Sequence, residues 1–254
     1  MNLFDTHVHL SDEKFDGIRD NVIQNLKDEG VTLCIDVACD LRNLKCTHKL
    51  TSEHEGIYSA YGMHPHYASD MNYTYLDNLK GYMLLDKCVA LGEIGLDYHY
   101  DFSPREEQKK WFDTQMSLAC EINKPVILHI REAFGDCMDI LSAYKGKFSG
   151  VMHCFSGSYE TAKRCLDMGM YIAFGGSVTF NNATNLREVA SKIPTDRLLI
   201  ETDCPYMAPV PLRGTVNEPK NVRLVAEKLA LLHDMSVSDI AAVTYRNGRE
   251  LFGI

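Results

Sequence analysis

Two histidines stand near the start of the chain, separated by one residue, in the segment Asp5-Thr6-His7-Val8-His9. This segment ends an apolar run typical of a strand, in which residues i and i+2 point to the same face. Two neighbouring buried imidazoles are costly without partners, and a divalent cation removes that cost because neutral imidazole is a common metal ligand. The alternative is a pair of core histidines bonded to carbonyl groups, and this motif alone does not decide between the two.

Four further polar side chains interrupt or end apolar runs later in the sequence. Glu93 lies inside such a run, where an ionised carboxylate is costly unless it is paired or bound to a metal. His129, His153 and Asp203 each stand at the end of another run. Each residue alone could be a satisfied core polar group, or for Glu93 half of an ion pair. Because all six share this placement, we interpret them as the ligands of one metal site.

Eight short apolar runs alternate with longer amphipathic stretches. They are continuous runs without polar alternation, the pattern of parallel strands that are buried on both faces. The predicted strands are Leu3–Leu10, Thr32–Ala38, Ile57–Met63, Val89–Ile94, Val126–Ile130, Gly150–Cys154, Tyr171–Phe174 and Leu198–Thr202.

The amphipathic stretches predict helices between and after these strands. The clearest are Asp16–Glu29, Pro104–Glu121, Glu218–Leu232 and Ser236–Phe252. Ser103 precedes Pro104, which predicts a serine N-cap followed by proline at the first helical position.

Eight strand–helix alternations in 254 residues predict one (β/α)₈ TIM-type barrel domain covering residues 1–254, since such barrels take about 250 residues. A doubly wound open sheet is the alternative, although no G-x-G-x-x-G follows the first strand. In a barrel the carboxyl ends of the strands meet at one mouth, where active sites form. The barrel would therefore bring the six polar residues together.

Composition limits the classes of function. No apolar run approaches the roughly 18 residues that span a bilayer, and the first residues lack the features of a signal peptide, so we expect a cytoplasmic protein. The nine cysteines form no C-x-x-C pair and are interpreted as reduced structural thiols. The net charge of −9 disfavours an extended basic surface for duplex DNA. A bound metal pair could still attract phosphate locally. No obligatory protein partner is evident.

Several segments together resemble the TatD family of metal-dependent deoxyribonucleases, which belongs to the amidohydrolase superfamily. The resemblance runs from the first strand to about Pro219, with matching order and spacing. It is carried by the segments Asp5–His9, Gly62–His66, Gly92–Tyr98, Ser103-Pro104, Leu128–Ala133, His153–Gly157, Glu201–Tyr206 and Asn217–Pro219.

The resemblance implies a distorted (β/α)₈ barrel that holds two divalent metal ions. By similarity His7, His9 and Asp203 hold the first ion, and His129 and His153 hold the second. Glu93 bridges the two ions. Family members are typically nucleases acting on DNA, and some are 3′–5′ exonucleases.

Two positions depart from the family pattern. The segment Leu212–Val216 replaces a stretch that in family members often carries a histidine and three basic residues, which weakens the expectation of phosphate contacts there. Ile130 replaces a usual serine, and its side chain should alternate away from His129, so we expect little effect on the metals.

The expected mechanism is attack on phosphorus by a hydroxide that the two ions activate, with Asp203 as the general base. Glu93 sets the separation of the metals, and Glu201 shares the face of Asp203, where it could orient a ligand. Histidine-rich ligation favours Zn²⁺, while the carboxylates also suit Mn²⁺ or Mg²⁺. The expected substrate is DNA or another phosphodiester, and a recessed barrel mouth favours the end of a single strand.

Four residues are candidate substrate contacts. His64 and His66, at the end of the third predicted strand, could bind the substrate phosphate, or could instead be turn residues around Pro65. Arg131 and Arg213 are candidate phosphate contacts, or else surface charges and ion-pair partners.

Two rival functions remain at this point. The same metal site could hydrolyse a small carboxyl ester, amide or lactone, because the fold does not determine the bond that is cleaved. A non-catalytic interaction protein would show an incomplete ligand set, whereas all six positions are filled here.

Overall fold

Eight parallel strands form one sheet in the order of the sequence in the computed structural model, which describes residues 1–254. Each strand pairs with the next one along the chain, and helices lie between them, so the predicted TIM-type barrel is confirmed. The strands are β1 (Leu3–Val8), β2 (Val31–Ala38), β3 (Ile57–Tyr61), β4 (Cys88–Asp97), β5 (Val126–Arg131), β6 (Gly150–Met152), β7 (Tyr171–Phe174) and β8 (Leu198–Ile200).

Nine α-helices accompany the strands, and one or more of them follows every strand. None is both long and apolar enough to cross a membrane. The helices are α1 (Arg19–Asn25), α2 (Leu44–Glu53), α3 (Tyr73–Met83), α4 (Arg105–Ile122), α5 (Phe134–Ser142), α6 (Tyr159–Asp167), α7 (Thr184–Ala190), α8 (Val222–Leu232) and α9 (Val237–Phe252).

Two apolar clusters make up the core. The larger, with 58 buried residues, joins strands to the surrounding helices. The smaller has 13 buried residues and takes at least one from each of the eight strands, together with Leu251 and Phe252 at the end of α9. Contributions from every strand to one small cluster are expected of a barrel interior filled by side chains.

The barrel closes incompletely between β8 and β1. Only one isolated parallel bridge, between Val8 and Cys204, joins the two ends. Next to it, the side chain of Asp5 accepts hydrogen bonds from the amide and hydroxyl of Thr202, at 2.9 and 2.6 Å. The carboxylate of Asp5 thus replaces part of the missing backbone hydrogen bonding between β1 and the end of β8. The residue it binds, Thr202, directly precedes Asp203.

Two helix starts differ from the sequence predictions. The predicted helix Asp16–Glu29 shortens to α1, and Gly17, with φ of +80°, adopts a conformation that no α-helix contains. Ser103 does not cap α4, whose N-cap is Pro104. The Ser103 hydroxyl instead donates to the carbonyl of His66 at 3.0 Å and accepts from the amide of Ser69 at 3.1 Å. The Ser103 hydroxyl is therefore used in tertiary hydrogen bonds and does not cap the helix.

Gly95 is required by the close approach of β4 to β5. Its φ is +146°, and a Cβ atom at this position would lie 2.0 Å from the carbonyl oxygen of His129. We expect Gly95→Ala to lower the free energy of unfolding by about 1–3 kcal/mol or more, because backbone atoms must shift. Urea denaturation would measure this. Gly81→Ala, on an open face of α3, should instead be neutral or slightly stabilising, so equal effects would contradict the argument.

Candidate metal centre

His7 and His9 place their Nε2 atoms 3.2 Å apart at the mouth of the barrel. The ring of His9 is fixed from behind, since its Nδ1 lies 2.9 Å from the carbonyl oxygen of Val37. A bond from Nδ1–H to a carbonyl leaves the lone pair of Nε2 free for a ligand. The predicted shared face of the two histidines is therefore present, with both Nε2 atoms turned to one point.

Glu93 lies at the centre of the six predicted ligands, which we call the ligand cluster, and only 4% of its side chain is exposed. Its Oε2 faces His7 at 3.3 Å and His9 at 3.8 Å. Its Oε1 faces the other side, with His129 Nδ1 at 2.6 Å and His153 Nε2 at 3.0 Å. Each carboxylate oxygen thus serves a different pair of imidazoles.

Asp203 completes the half of the cluster that contains His7 and His9. Its Oδ1 lies 3.3 Å from His9 Nε2 and 3.9 Å from His7 Nε2. The residue has φ of +58°, and its amide donates to the carbonyl of His7 at 3.0 Å. This left-handed backbone, uncommon for a residue other than glycine, turns the carboxylate toward the histidines as the chain leaves β8.

Two carboxylates hold the imidazoles of the other half from behind. His129 Nε2 lies 3.1 Å from Asp97 Oδ2, on the ring edge opposite Glu93. His153 Nδ1 lies 3.1 Å from Glu201 Oε1, a short contact that is not aligned as a hydrogen bond. Glu201 is also anchored by the amide of Cys154 at 2.6 Å. Such outer carboxylates fix ring orientation and raise the basicity of a ligating imidazole.

The electrostatics keep both central carboxylates ionised. Burial alone would raise the pKa of Glu93, but the positive charge of the surrounding protonated imidazoles, first of all His153, lowers it well below its usual value. Burial likewise opposes ionisation of Asp203, and its bond with His9 and the charge on His153 lower its pKa. Ionised carboxylates among nitrogen donors form a donor set that suits a divalent cation.

The donor set fits metal ions on its own geometry. Three groups of ligand atoms each converge within 4.8 Å, namely His7 with His153 and Asp203, His7 with His9 and Glu93, and His64 with Glu93 and His129. The Nδ1 atom of His7 is also buried without a hydrogen-bond partner. All six residues predicted as ligands belong to these groups.

His64 and His66, predicted to contact substrate, lie beside the same cluster. His64 is buried, and its Nε2 lies 3.6 Å from Glu93 Oε1. Burial, followed by the charge on His129, lowers the pKa of His64 well below its usual value, so this imidazole is neutral. His66 is half-buried and directs its Nε2 at Asp97 Oδ2, 2.9 Å away.

The two predicted arginine contacts occupy different surroundings. Arg131 ends β5, and its guanidinium lies 4.8 Å from the centre of the Tyr100 ring. Arg213 is exposed, donates to the carbonyl of Ala208 at 3.0 Å and covers the Phe180 ring at 3.8 Å. Neither contact of Arg213 involves the ligand cluster.

Two residues of the centre were not assigned from the sequence. Asp97 shares the face of Glu93 four residues further along β4, so the two-residue period applied to His7 and His9 would have found it. Cys39 was interpreted as structural, yet its Sγ lies 3.4 Å from Glu93 Oε2. It follows β2 directly, and its position at a strand end was the available signal.

Comparison with known proteins identifies the family of this chain. The family model of the TatD related DNase matches residues 4–253. The chain belongs to the TatD family. A Bacillus subtilis relative of this TatD protein, named as the uncharacterized metal-dependent hydrolase YabD, is 44% identical over 99% of both chains.

Two other relatives extend the comparison. The protein of Shigella flexneri serotype 5b named as the 3′-5′ ssDNA/RNA exonuclease TatD is 33% identical over 99% of both chains. The crystal structure of YJJV, a TatD homolog from Escherichia coli K12, has a TM-score of 0.94 and 31% identity, and covers 99% of this chain and 98% of its own. The present TatD protein is accordingly a metal-dependent hydrolase.

Proposed function

We propose that this protein hydrolyses phosphodiester bonds of single-stranded DNA, removing nucleotides from the 3′ end, with two divalent metal ions bound at the barrel mouth. The arrangement of Glu93 carries the proposal, because its two oxygens face two separate pairs of imidazoles. The relative named as a 3′-5′ exonuclease, which matches nearly the whole chain, supports the direction and the substrate.

The ligands favour a particular assignment. His7, His9 and Asp203 would hold one ion, His129 and His153 the other, and Glu93 would bridge them. The imidazole nitrogens of His7, His9, His129 and His153 favour Zn²⁺, while Mn²⁺ and Mg²⁺ accept the carboxylates. When bound, two such metal ions lower the pKa of coordinated water and stabilise the charge of a phosphoryl group.

Asp203 is the residue that accepts the proton of the attacking water. Its side chain is 16% exposed, against 4% for Glu93, so water and substrate reach it more readily. Its lowered pKa keeps it ionised at neutral pH, as a general base must be. The neutral imidazole of His64 can donate one hydrogen bond to a phosphate oxygen, while Arg131 at the rim adds a positive charge.

The direct test is loss of nucleotides from a 3′-labelled single strand. We expect release of label with Zn²⁺, Mn²⁺ or Mg²⁺ and none after chelation, because the ligand cluster supplies no other activated nucleophile. A strand with a blocked 3′ end should resist, and His153→Ala should be inactive.

The rival bond is tested in the same experiment. Carboxyl esters, amides and lactones would be assayed beside the phosphodiesters under identical metal loading. Absence of metal-dependent DNA cleavage with all three ions would refute the nuclease proposal, and turnover of a carbonyl substrate would replace it.

A further inference from the structure

Two exposed aromatic rings stand side by side at the barrel mouth. Tyr100 and Phe102 stack with centroids 5.2 Å apart and an interplanar angle of 19°. They are 48% and 67% exposed. The ring of His66 meets both edge-on, at 5.3 Å from Tyr100 and 4.9 Å from Phe102. Large apolar rings left in water need a reason, because each would be better buried.

The loop that carries these rings is held by buried polar groups. Asp97 Oδ1 accepts hydrogen bonds from the amides of His99 and Tyr100, at 3.0 and 2.9 Å. The buried Gln108 accepts from the amide of Asp97 at 2.8 Å and donates to the carbonyl of Ser103 at 2.8 Å. Both ends of the loop are therefore fixed by side chains from within the fold.

A second contact fixes the turn directly before Phe102. Asp101 has φ of +51°, and its carboxylate accepts hydrogen bonds from the Arg105 guanidinium at 2.7 to 3.1 Å. An exposed ion pair of this kind adds little stability on its own, and it supplements the buried contacts of Asp97 and Gln108. The loop presents its rings in a fixed position, which is the arrangement of a preorganised binding surface.

The ring pair is continuous with the metal centre. Asp97 Oδ2 contacts both His66 and His129, at 2.9 and 3.1 Å, so one carboxylate links the loop to a metal-ligating imidazole. The rings of His66 and His129 are 6.2 Å apart. Arg131 lies over Tyr100 and places a cation at the same rim. A phosphate at the centre would thus have aromatic faces and a positive charge beside it.

We propose that Tyr100 and Phe102 form a stacking site for a nucleobase of the single strand whose phosphate lies at the metal centre. This inference rests on the proposed nuclease function and names how its substrate is recognised. Aromatic rings beside a cation are the combination that binds single-stranded nucleic acids without reading their sequence, since every base offers a flat face. The site therefore requires a base at this position but does not distinguish one base from another.

Binding by the metal-loaded protein tests this inference. The probe is a 5′-labelled thymidine octamer with hydrolysis-resistant phosphorothioate linkages, compared by fluorescence anisotropy with the same backbone lacking bases at its four 3′ residues. We expect the base-free strand to bind about 5- to 150-fold more weakly, the range for one base stacked on an aromatic ring. Phe102→Ala should weaken binding of the octamer about 10-fold and leave the base-free strand unchanged.

Two matched variants separate stacking from general apolar contact and from misfolding. Phe102→Trp should retain octamer affinity, whereas Phe102→Leu should lose it although the site stays apolar. Equal binding of the two strands by the wild-type protein, absence of binding to both, or equal effects of Phe102→Ala on both would overturn the stacking site. The 3′-label assay reports separately on the nuclease function, so base-dependent binding without hydrolysis would refute that function alone.

Discussion

Glu93→Gln is expected to release metal and to lower kcat/KM for a single-stranded oligonucleotide by more than the about 100-fold typical of outer-shell substitutions. Each oxygen of Glu93 faces its own pair of imidazoles, and glutamine replaces one of these oxygens with an NH₂ group, which cannot ligate a cation. The remaining neutral oxygen cannot serve both halves. Metal content by mass spectrometry and the rate of nucleotide release would be measured on the same preparation.

The control for this experiment is Glu132→Gln, which removes an equal charge from the same region. Glu132 is 64% exposed at the side chain and contacts His99 at 2.8 Å. That variant should keep its metal and most of its activity. A Glu93→Gln protein that retained two ions and a near wild-type rate would show that this carboxylate is not a bridge.

The six candidate ligands could be found from the sequence because a polar residue in a buried parallel strand is conspicuous. Glu93 and His129 interrupt apolar β-branched runs, and burial of such groups is costly without a partner. The topology then adds the rest, since sequential parallel strands present their carboxyl ends at one mouth. Strand position and residue type sufficed to place these residues at one mouth of the barrel, without any knowledge of side-chain conformation.

What the sequence did not show depends on contacts between distant segments. Ser103 has the local signature of a helix cap, yet its hydroxyl is taken by His66 and Ser69, which only the fold brings near. The gap between β8 and β1 is equally hidden, because the side chain of Asp5 replaces backbone pairing with Thr202. Competition between local and tertiary partners decides both cases, and sequence spacing reports only the local one.

The four candidate substrate contacts lie between these cases. His64 and His66 were placed correctly near the centre by their position after a strand, but the sequence could not distinguish their partners. Arg213 was predicted from charge alone, and its guanidinium is directed at Phe180 and Ala208. A long side chain on a loop has many rotamers, and packing selects among them after the fold has formed.

Asp203→Asn is expected to lower kcat by about 10²- to 10⁴-fold, the contribution typical of a general base. Asparagine keeps an oxygen near His9 but cannot accept the proton of the attacking water, so most of the metal should remain bound. This separates it from Glu93→Gln, in which metal and activity are lost together. The measurements are kcat at saturating oligonucleotide, metal content, and circular dichroism to confirm the fold.

The loss of kcat compared with the loss of bound metal in Asp203→Asn decides the role of this carboxylate. Asp12→Asn supplies the control, because Asp12 lies at the rim, accepts a hydrogen bond from the Tyr206 hydroxyl at 2.7 Å and has no ligand role. If metal content in Asp203→Asn fell in proportion to kcat, and excess metal restored the rate, Asp203 would be a ligand only. If the rate stayed low at full metal occupancy, the proton would have lost its acceptor, since nothing else in the centre has changed.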